Sequence, residues 1–85
     1  MRIFVFTYMM SDNPEEITAI VPQHVAHWKK QNFEYYRGGP FADRSGGLIT
    51  FSATNIDEAK RIVSKDPFMA DDVLDHYIIK EWLPE

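Results

Sequence analysis

The chain has 85 residues, a formal net charge of −4 and no cysteine. A chain of this length forms one domain, residues 1–85, and buries only about 60–65 % of its unfolded surface, so its core is marginal. The lack of cysteine excludes disulfide and thiol chemistry, and a net negative charge with no basic face disfavours nucleic-acid binding. No apolar run approaches the roughly 18–20 residues that span a membrane, and the first residues lack a signal-peptide cleavage site. We therefore expect a soluble cytoplasmic protein.

The first element is a strand from Arg2 to Met9, an unbroken run of β-forming residues. Both faces of this strand are apolar, so both require cover. We expect helices to cover one face of the sheet. The other face is expected to keep Phe4, Phe6 and Tyr8, together with apolar residues of later strands.

The main helix is predicted from Pro22 to Phe33, after a turn at residues 11–14 and a short helical turn that begins at Pro14. Because proline lacks an amide donor and clashes with the preceding turn, we predict a break at Val21. A rotation of 100° per residue places His24 at the border of the buried stripe and tilts His27 toward solvent. The predicted stripe consists of Val21, Val25, Trp28 and Asn32, of which Asn32 can end the helix in the left-handed conformation.

The second half of the chain is predicted to form three more strands of the sheet and one more helix. Asn55 and Glu58 have the spacing of a capping box, and Pro67 ends that helix with Asp66 extended. The predicted elements are a strand at 34–41 with a defect at 38–40, a hairpin loop at 43–47, a strand at 48–53, a helix from 55, a connector at 68–75 and a strand at 76–83.

This order is βαββαβ, the pattern of an α+β, ferredoxin-like sandwich. Two helices cover only one face of such a sheet, and the other face is apolar here. An apolar face of that size favours a second subunit. We expect a homodimer packed sheet to sheet.

The pair of residues that could carry chemistry is His24 and Asp66. A carboxylate beside an imidazole fixes the tautomer of the ring and strengthens it as a base near neutral pH. The structural alternative is that Asp66 only ends a helix and His24 only flanks one. His24 and His27 lie three residues apart, but a third metal ligand at a readable spacing is missing, so neither a metal nor another cofactor is expected. Aromatic residues that could line an apolar pocket are Tyr35, Tyr36, Phe41 and Phe68.

Several short motifs, in this order, resemble the YCII-related family. They are His24-Val25-Ala26-His27-Trp28, Gly39-Pro40-Phe41, Gly46-Gly47-Leu48-Ile49, Ile56-Asp57-Glu58-Ala59, Asp66-Pro67-Phe68 and Trp82. The resemblance implies a ferredoxin-like fold of the dimeric α/β-barrel type and an active site built from His24 and Asp66. One branch of the family is associated with dehydrochlorination of a chlorinated hydroxyquinol. An arginine that commonly precedes the histidine is absent here, where Ile20, Val21 and Pro22 stand, and Arg37 and Arg44 are the candidates to replace it.

These observations favour a small cofactor-free enzyme in which His24, oriented by Asp66, shuttles a proton on a small aromatic or lactone-like substrate. One alternative is a non-catalytic module that binds a small ligand or serves as an accessory subunit. Another is a purely structural dimeric domain. All three are compatible with the sequence.

Overall fold

The computed structural model describes residues 1–85 and contains four strands and three helices. In chain order they are β1 (Arg2–Met10), α1 (Pro14–Lys29), β2 (Arg37–Pro40), β3 (Gly46–Ala53), α2 (Ile56–Ser64), α3 (Pro67–Ala70) and β4 (Leu74–Trp82). The strands form one antiparallel sheet in the order β2-β3-β1-β4. The predicted α+β, ferredoxin-like βαββαβ fold is confirmed, with α3 added where a connector was predicted. None of the helices combines the length and the apolarity that crossing a membrane requires.

The helix-covered face of the sheet holds the aromatic core. Phe4, Phe6 and Tyr8 of β1 lie there and are almost fully buried. The ring of Trp28 from α1 packs on Phe51 of β3, with centroids 5.0 Å apart. The prediction that the β1 aromatic residues occupy the open face was wrong. Both faces of β1 are apolar, so period-two alternation alone did not determine which row the helices cover.

The open face of the sheet carries the other row of side chains. Cross-strand pairing places Ile3 opposite Trp82, and Thr7 between Leu48 and Ile78. Leu48, Ile78 and Trp82 are between 38 and 47 % exposed. No element of the chain covers this apolar surface.

Helix α1 runs without interruption through Pro22, so the predicted break at Val21 was wrong. Proline inside a helix removes the hydrogen bond to the carbonyl four residues earlier, here that of Thr18. Both Pro22 and Thr18 are exposed, so solvent can satisfy that carbonyl. Packing of the opposite helix face therefore outweighs the local preference of proline.

The buried side of α1 differs from the predicted stripe. The buried residues are Ile20, His24, His27 and Trp28, whereas Val21 and Val25 are 38 and 36 % exposed. The prediction that His27 tilts to solvent was therefore wrong. Its Nε2–H donates a 3.0 Å hydrogen bond to the carbonyl of Ile62 in α2. This hydrogen bond offsets the free-energy cost of burying a polar ring.

Strand β2 is shorter than predicted because the residues that precede it are not in an extended conformation. Asn32 and Tyr35 have φ angles of 52° and 59°, in the left-handed region. The left-handed conformation expected at Asn32 is thus observed, while Tyr35 prevents the strand from starting at residue 34. Only residues 37–40 pair with β3.

The ends of α2 and α3 are capped by side chains. Asn55 accepts a 2.9 Å hydrogen bond from the amide of Glu58, and Glu58 accepts one from the amide of Thr54 instead of Asn55. Asp66 is extended, as predicted, and accepts from the amide of Phe68 at the start of α3. Pro67 suits the first helical position, so it ends one helix and opens another.

Candidate active site

The carboxylate of Asp66 is the buried centre of the site. Its side chain is fully buried, and it accepts hydrogen bonds from three donors. His24 Nδ1 lies 2.8 Å from both of its oxygens, Trp28 Nε1 lies 2.7 Å from Oδ2, and the amide of Phe68 lies 2.9 Å from Oδ1. A buried carboxylate with these donors has its negative charge well satisfied.

The local sequence explains how these groups meet. His24 and Trp28 are four residues apart on α1, so both side chains leave the same face of the helix. Asp66 reaches them from the N-terminus of α3, where Pro67 fixes its extended backbone. The site therefore depends on the contact between α1 and α3.

His24 presents Nδ1 to Asp66 and leaves Nε2 without a partner in the protein. Because Asp66 accepts from Nδ1–H, the neutral ring carries its lone pair on Nε2. Nε2 has no hydrogen-bond partner and retains accessible surface. The ring stacks on Phe68 with centroids 3.9 Å apart and planes 11° from parallel, which fixes its orientation.

His24 lines an open cavity of about 660 Å³ between α1 and the β2–β3 end of the sheet. Tyr8, Tyr36 and Phe68 line the same cavity. Burial and the charge of Asp66 raise the pKa of Tyr8 to about 12, and the same two causes raise the pKa of Tyr36. Both phenols therefore keep their protons at neutral pH.

The four aromatic residues predicted to bind substrate lie at different places in the structure. Tyr36 and Phe68 line the cavity beside His24. Tyr35 is 67 % exposed and lines a smaller hollow formed with Trp82 and Pro84. Phe41 lines neither space. The structure thus does not bring Tyr35 or Phe41 to His24.

The two candidate arginines are also separated. Arg44, in the β2–β3 hairpin, lines the cavity of His24, whereas Arg37 lines the smaller hollow. Sequence reasoning placed neither of them. It also missed Tyr8 as a lining residue and Trp28 as a donor to Asp66. The sequence signal for the contact between Trp28 and Asp66 was the indole itself, because a buried Trp N–H needs an acceptor.

His27 does not join His24 in a shared site. Its Nε2 is committed to the carbonyl of Ile62, and burial lowers the pKa of the ring. No three His, Asp or Glu side chains are grouped as metal ligands. His27 therefore links α1 to α2.

Fold and site together define a ferredoxin-like α/β sandwich protein that places a buried imidazole–carboxylate pair beside an open cavity. Such a pair can accept a proton on Nε2 and return it elsewhere. The sequence model of the YCII-related domain matches residues 1–83, and the chain belongs to this family. No curated protein sequence matches the chain.

Several solved structures have a similar fold. One is 5-chloro-2-hydroxyhydroquinone dehydrochlorinase (TftG) from Burkholderia phenoliruptrix AC1100 in complex with 2,5-dihydroxybenzoquinone. It has 18 % identity and a TM-score of 0.76, and the match covers 95 % of this chain and 93 % of that chain. Rv0793 from Mycobacterium tuberculosis has 9 % identity, a TM-score of 0.59 and coverage of 100 and 96 %. Atu4242 from Agrobacterium tumefaciens has 11 % identity, a TM-score of 0.56 and coverage of 100 and 94 %. Identities this low establish the fold alone.

Proposed function

We propose that this protein is a small enzyme that moves a proton on a small aromatic or lactone-like substrate. His24 is the general acid–base residue, and Asp66 is its positioning residue. The observation that carries the proposal is the asymmetry of His24: Nδ1 is held by the buried carboxylate, and the unpartnered Nε2 stands at the cavity. The fold shared with a dehydrochlorinase of a small aromatic substrate agrees with it.

The proposed step begins with neutral His24 taking a proton from the substrate through Nε2. The imidazolium that forms keeps Nδ1–H on Asp66, whose charge offsets the new positive charge. The proton then returns to another substrate atom in an isomerisation. In an elimination, an anion leaves as the double bond forms, and the proton passes to solvent. Neither route changes the redox state of the protein, so the proposal includes no cofactor.

Turnover of two substrates tests the proposal. Chloride release from 5-chloro-2-hydroxyhydroquinone and deuterium uptake from solvent by muconolactone are measured for the wild type and for His24→Gln. We expect kcat to fall at least about 10²-fold in the variant, the usual contribution of a general acid–base group. His76→Gln, which changes an exposed histidine, is the control and should keep wild-type kcat. Lack of turnover of both substrates by the wild type would overturn the proposed substrate classes.

Affinity measurements distinguish the proposed enzyme from the alternative, a non-catalytic binding module. Calorimetric binding of 2,5-dihydroxybenzoquinone is compared between the wild type and His24→Ala. Loss of turnover with retained affinity supports catalysis by His24. Equal loss of turnover and affinity supports the binding module instead.

We also propose that the chain forms a homodimer through the open face of its sheet. The half-exposed Ile78 and Trp82, with Leu48 of β3, form an apolar surface that a second copy can cover. Sedimentation of the wild type at micromolar concentration should give a dimer. Ile78→Lys should shift the protein to monomer, while Ile56→Lys, at an equally exposed isoleucine on α2, should not. A monomeric wild type would exclude the dimer.

A further inference from the structure

The hydroxyl group of Tyr8 makes no hydrogen bond within the protein, although the residue as a whole is almost buried. Its side chain is only 4 % exposed and lines the cavity that His24 borders. The other polar groups around Asp66, namely His24 Nδ1 and the indole of Trp28, are hydrogen-bonded. The Tyr8 hydroxyl has no partner, yet it retains accessible surface. An accessible hydroxyl without a protein partner is available to hydrogen-bond a bound molecule.

The sheet beneath the cavity is shaped to hold two phenol groups. A Cβ atom at Gly47 of β3 would lie 2.4 Å from the Tyr8 hydroxyl, and one at Gly38 of β2 would lie 3.0 Å from the Tyr36 hydroxyl. Glycine at both positions therefore gives each hydroxyl room above the sheet. Because both phenols keep their protons at neutral pH, each can donate a hydrogen bond to an oxygen atom.

The charged groups that line the cavity are two cations and one carboxylate. They are Lys29, Arg44 and Asp12. Neither cation makes a salt bridge, since the one lysine or arginine that pairs with a carboxylate in this chain is Arg2, with Glu81. The carboxylate of Asp66 lies behind His24, where three donors hold its charge, so the cations and carboxylates of the site are equal in number. Lys29 and Arg44, which line the cavity without a salt-bridge partner, are the groups that can attract a negatively charged ligand.

We propose that the cavity binds a small aromatic or lactone-like oxyanion, with Tyr8 donating a hydrogen bond to a ligand oxygen and Arg44 supplying the opposing charge. The assignment rests on the proposed function, because it names the substrate class of the His24 site. Tyr8 and Arg44 become binding residues of that site. Tyr36 is the second donor.

Two probes that differ in charge test this assignment. The affinities of 4-hydroxybenzoate and of its neutral isostere 4-hydroxybenzamide are measured by calorimetry at pH 7. The wild type should bind the acid at least about fivefold more tightly, as expected for one charge-assisted contact. Equal affinity for both probes, or no binding of either at millimolar concentration, would overturn the proposal.

Four variants assign the contacts. Arg44→Gln should abolish the preference for the acid, while the control Arg37→Gln should keep it. Tyr8→Phe should weaken binding of the acid at least about tenfold, the value of one hydrogen bond to a charged group. Tyr77→Phe, an exposed tyrosine outside the cavity, should not. Wild-type affinity in Tyr8→Phe would overturn the role of Tyr8, and circular dichroism checks that each variant folds. The comparison of probes in the wild type needs no variant.

The same data separate failure of this assignment from failure of the proposed reaction. If the acid is preferred and Arg44 is required, but no turnover depends on His24, the ligand class stands and the reaction fails. If turnover depends on His24 while acid and amide bind equally, the reaction stands and the ligand class fails.

Discussion

Trp28 Nε1 donates a 2.7 Å hydrogen bond to Oδ2 of Asp66, the same carboxylate that holds His24. His24 and Trp28 lie one helical turn apart on α1, so the carboxylate is held by two side chains of one helix and by the amide of Phe68. Trp28 also packs on Phe6 and Phe51 in the core. The position of the His24–Asp66 pair is therefore tied to the main core of the protein.

Trp28→Phe should lower the free energy of unfolding by about 2 kcal/mol, because it removes a hydrogen bond to a buried carboxylate. The phenyl ring retains much of the apolar packing. Urea unfolding at pH 7 measures the change. Tyr77→Phe, at a half-exposed tyrosine outside the proposed dimer surface, is the control and should change stability by less than about 0.5 kcal/mol. An equally small effect of Trp28→Phe would show that the hydrogen bond to Asp66 contributes little to stability.

The element order could be predicted from the sequence because local signals set it. Strand propensity defined β1 and β3, and the Asn55 cap with Pro67 bounded α2. The break at Pro22 and the side that His27 faces were predicted wrongly. In both cases tertiary packing decided the outcome, since α1 is anchored by its buried face whatever Pro22 prefers locally.

The candidate site could be predicted only in part from the sequence. The resemblance paired His24 with Asp66, and the structure places them 2.8 Å apart. Tyr8 and Arg44 come from a strand and a hairpin that no spacing relates to α1. Both residues line one cavity because the folded sheet brings β1 and the β2–β3 hairpin beside α1. Arg44 stands in that hairpin with a φ of 66°. Such contacts depend on the folded topology.

Gly47→Ala should destabilise the protein by about 1–3 kcal/mol, the usual cost of overpacking. The new Cβ would lie 2.4 Å from the Tyr8 hydroxyl and 2.7 Å from the carbonyl oxygen of Gly39. Gly39→Ala is the matched control, because no atom lies within 4 Å of its added Cβ. Thermal unfolding compares the two variants. A Gly47→Ala protein as stable as Gly39→Ala would contradict the packing described for Tyr8.

His27 should make stability fall as the pH is lowered below 6.5. Burial lowers its pKa in the folded state below the value of the unfolded chain, so the unfolded chain binds more protons between those two pKa values. The stabilisation is full above pH 6.5 and is lost as the pH falls toward the lowered pKa. Urea unfolding at pH 7.5, 6.5 and 5.5 measures the slope.

His27→Gln should flatten this pH dependence, since the amide can still donate to the carbonyl of Ile62 but does not titrate. His76→Gln changes an exposed histidine and should keep the wild-type slope. The same slope in His27→Gln and in the wild type would assign the pH dependence to other groups. Asp43, whose pKa is lowered by hydrogen bonds from Ser45, titrates below this range.

Pro22→Ala should stabilise the protein by about 2 kcal/mol. Alanine restores the amide that can donate to Thr18 and removes the ring clash inside α1, and interior proline costs about 3 kcal/mol relative to alanine. Pro14→Ala is the control, because Pro14 stands at the start of the same helix, where the missing amide costs nothing and the fixed φ is favourable. It should leave stability unchanged or slightly lower. Urea unfolding of both variants gives the comparison. Destabilisation by Pro22→Ala would show that the helix around residue 22 is shaped by the proline, and that the position of His24 two residues later depends on it.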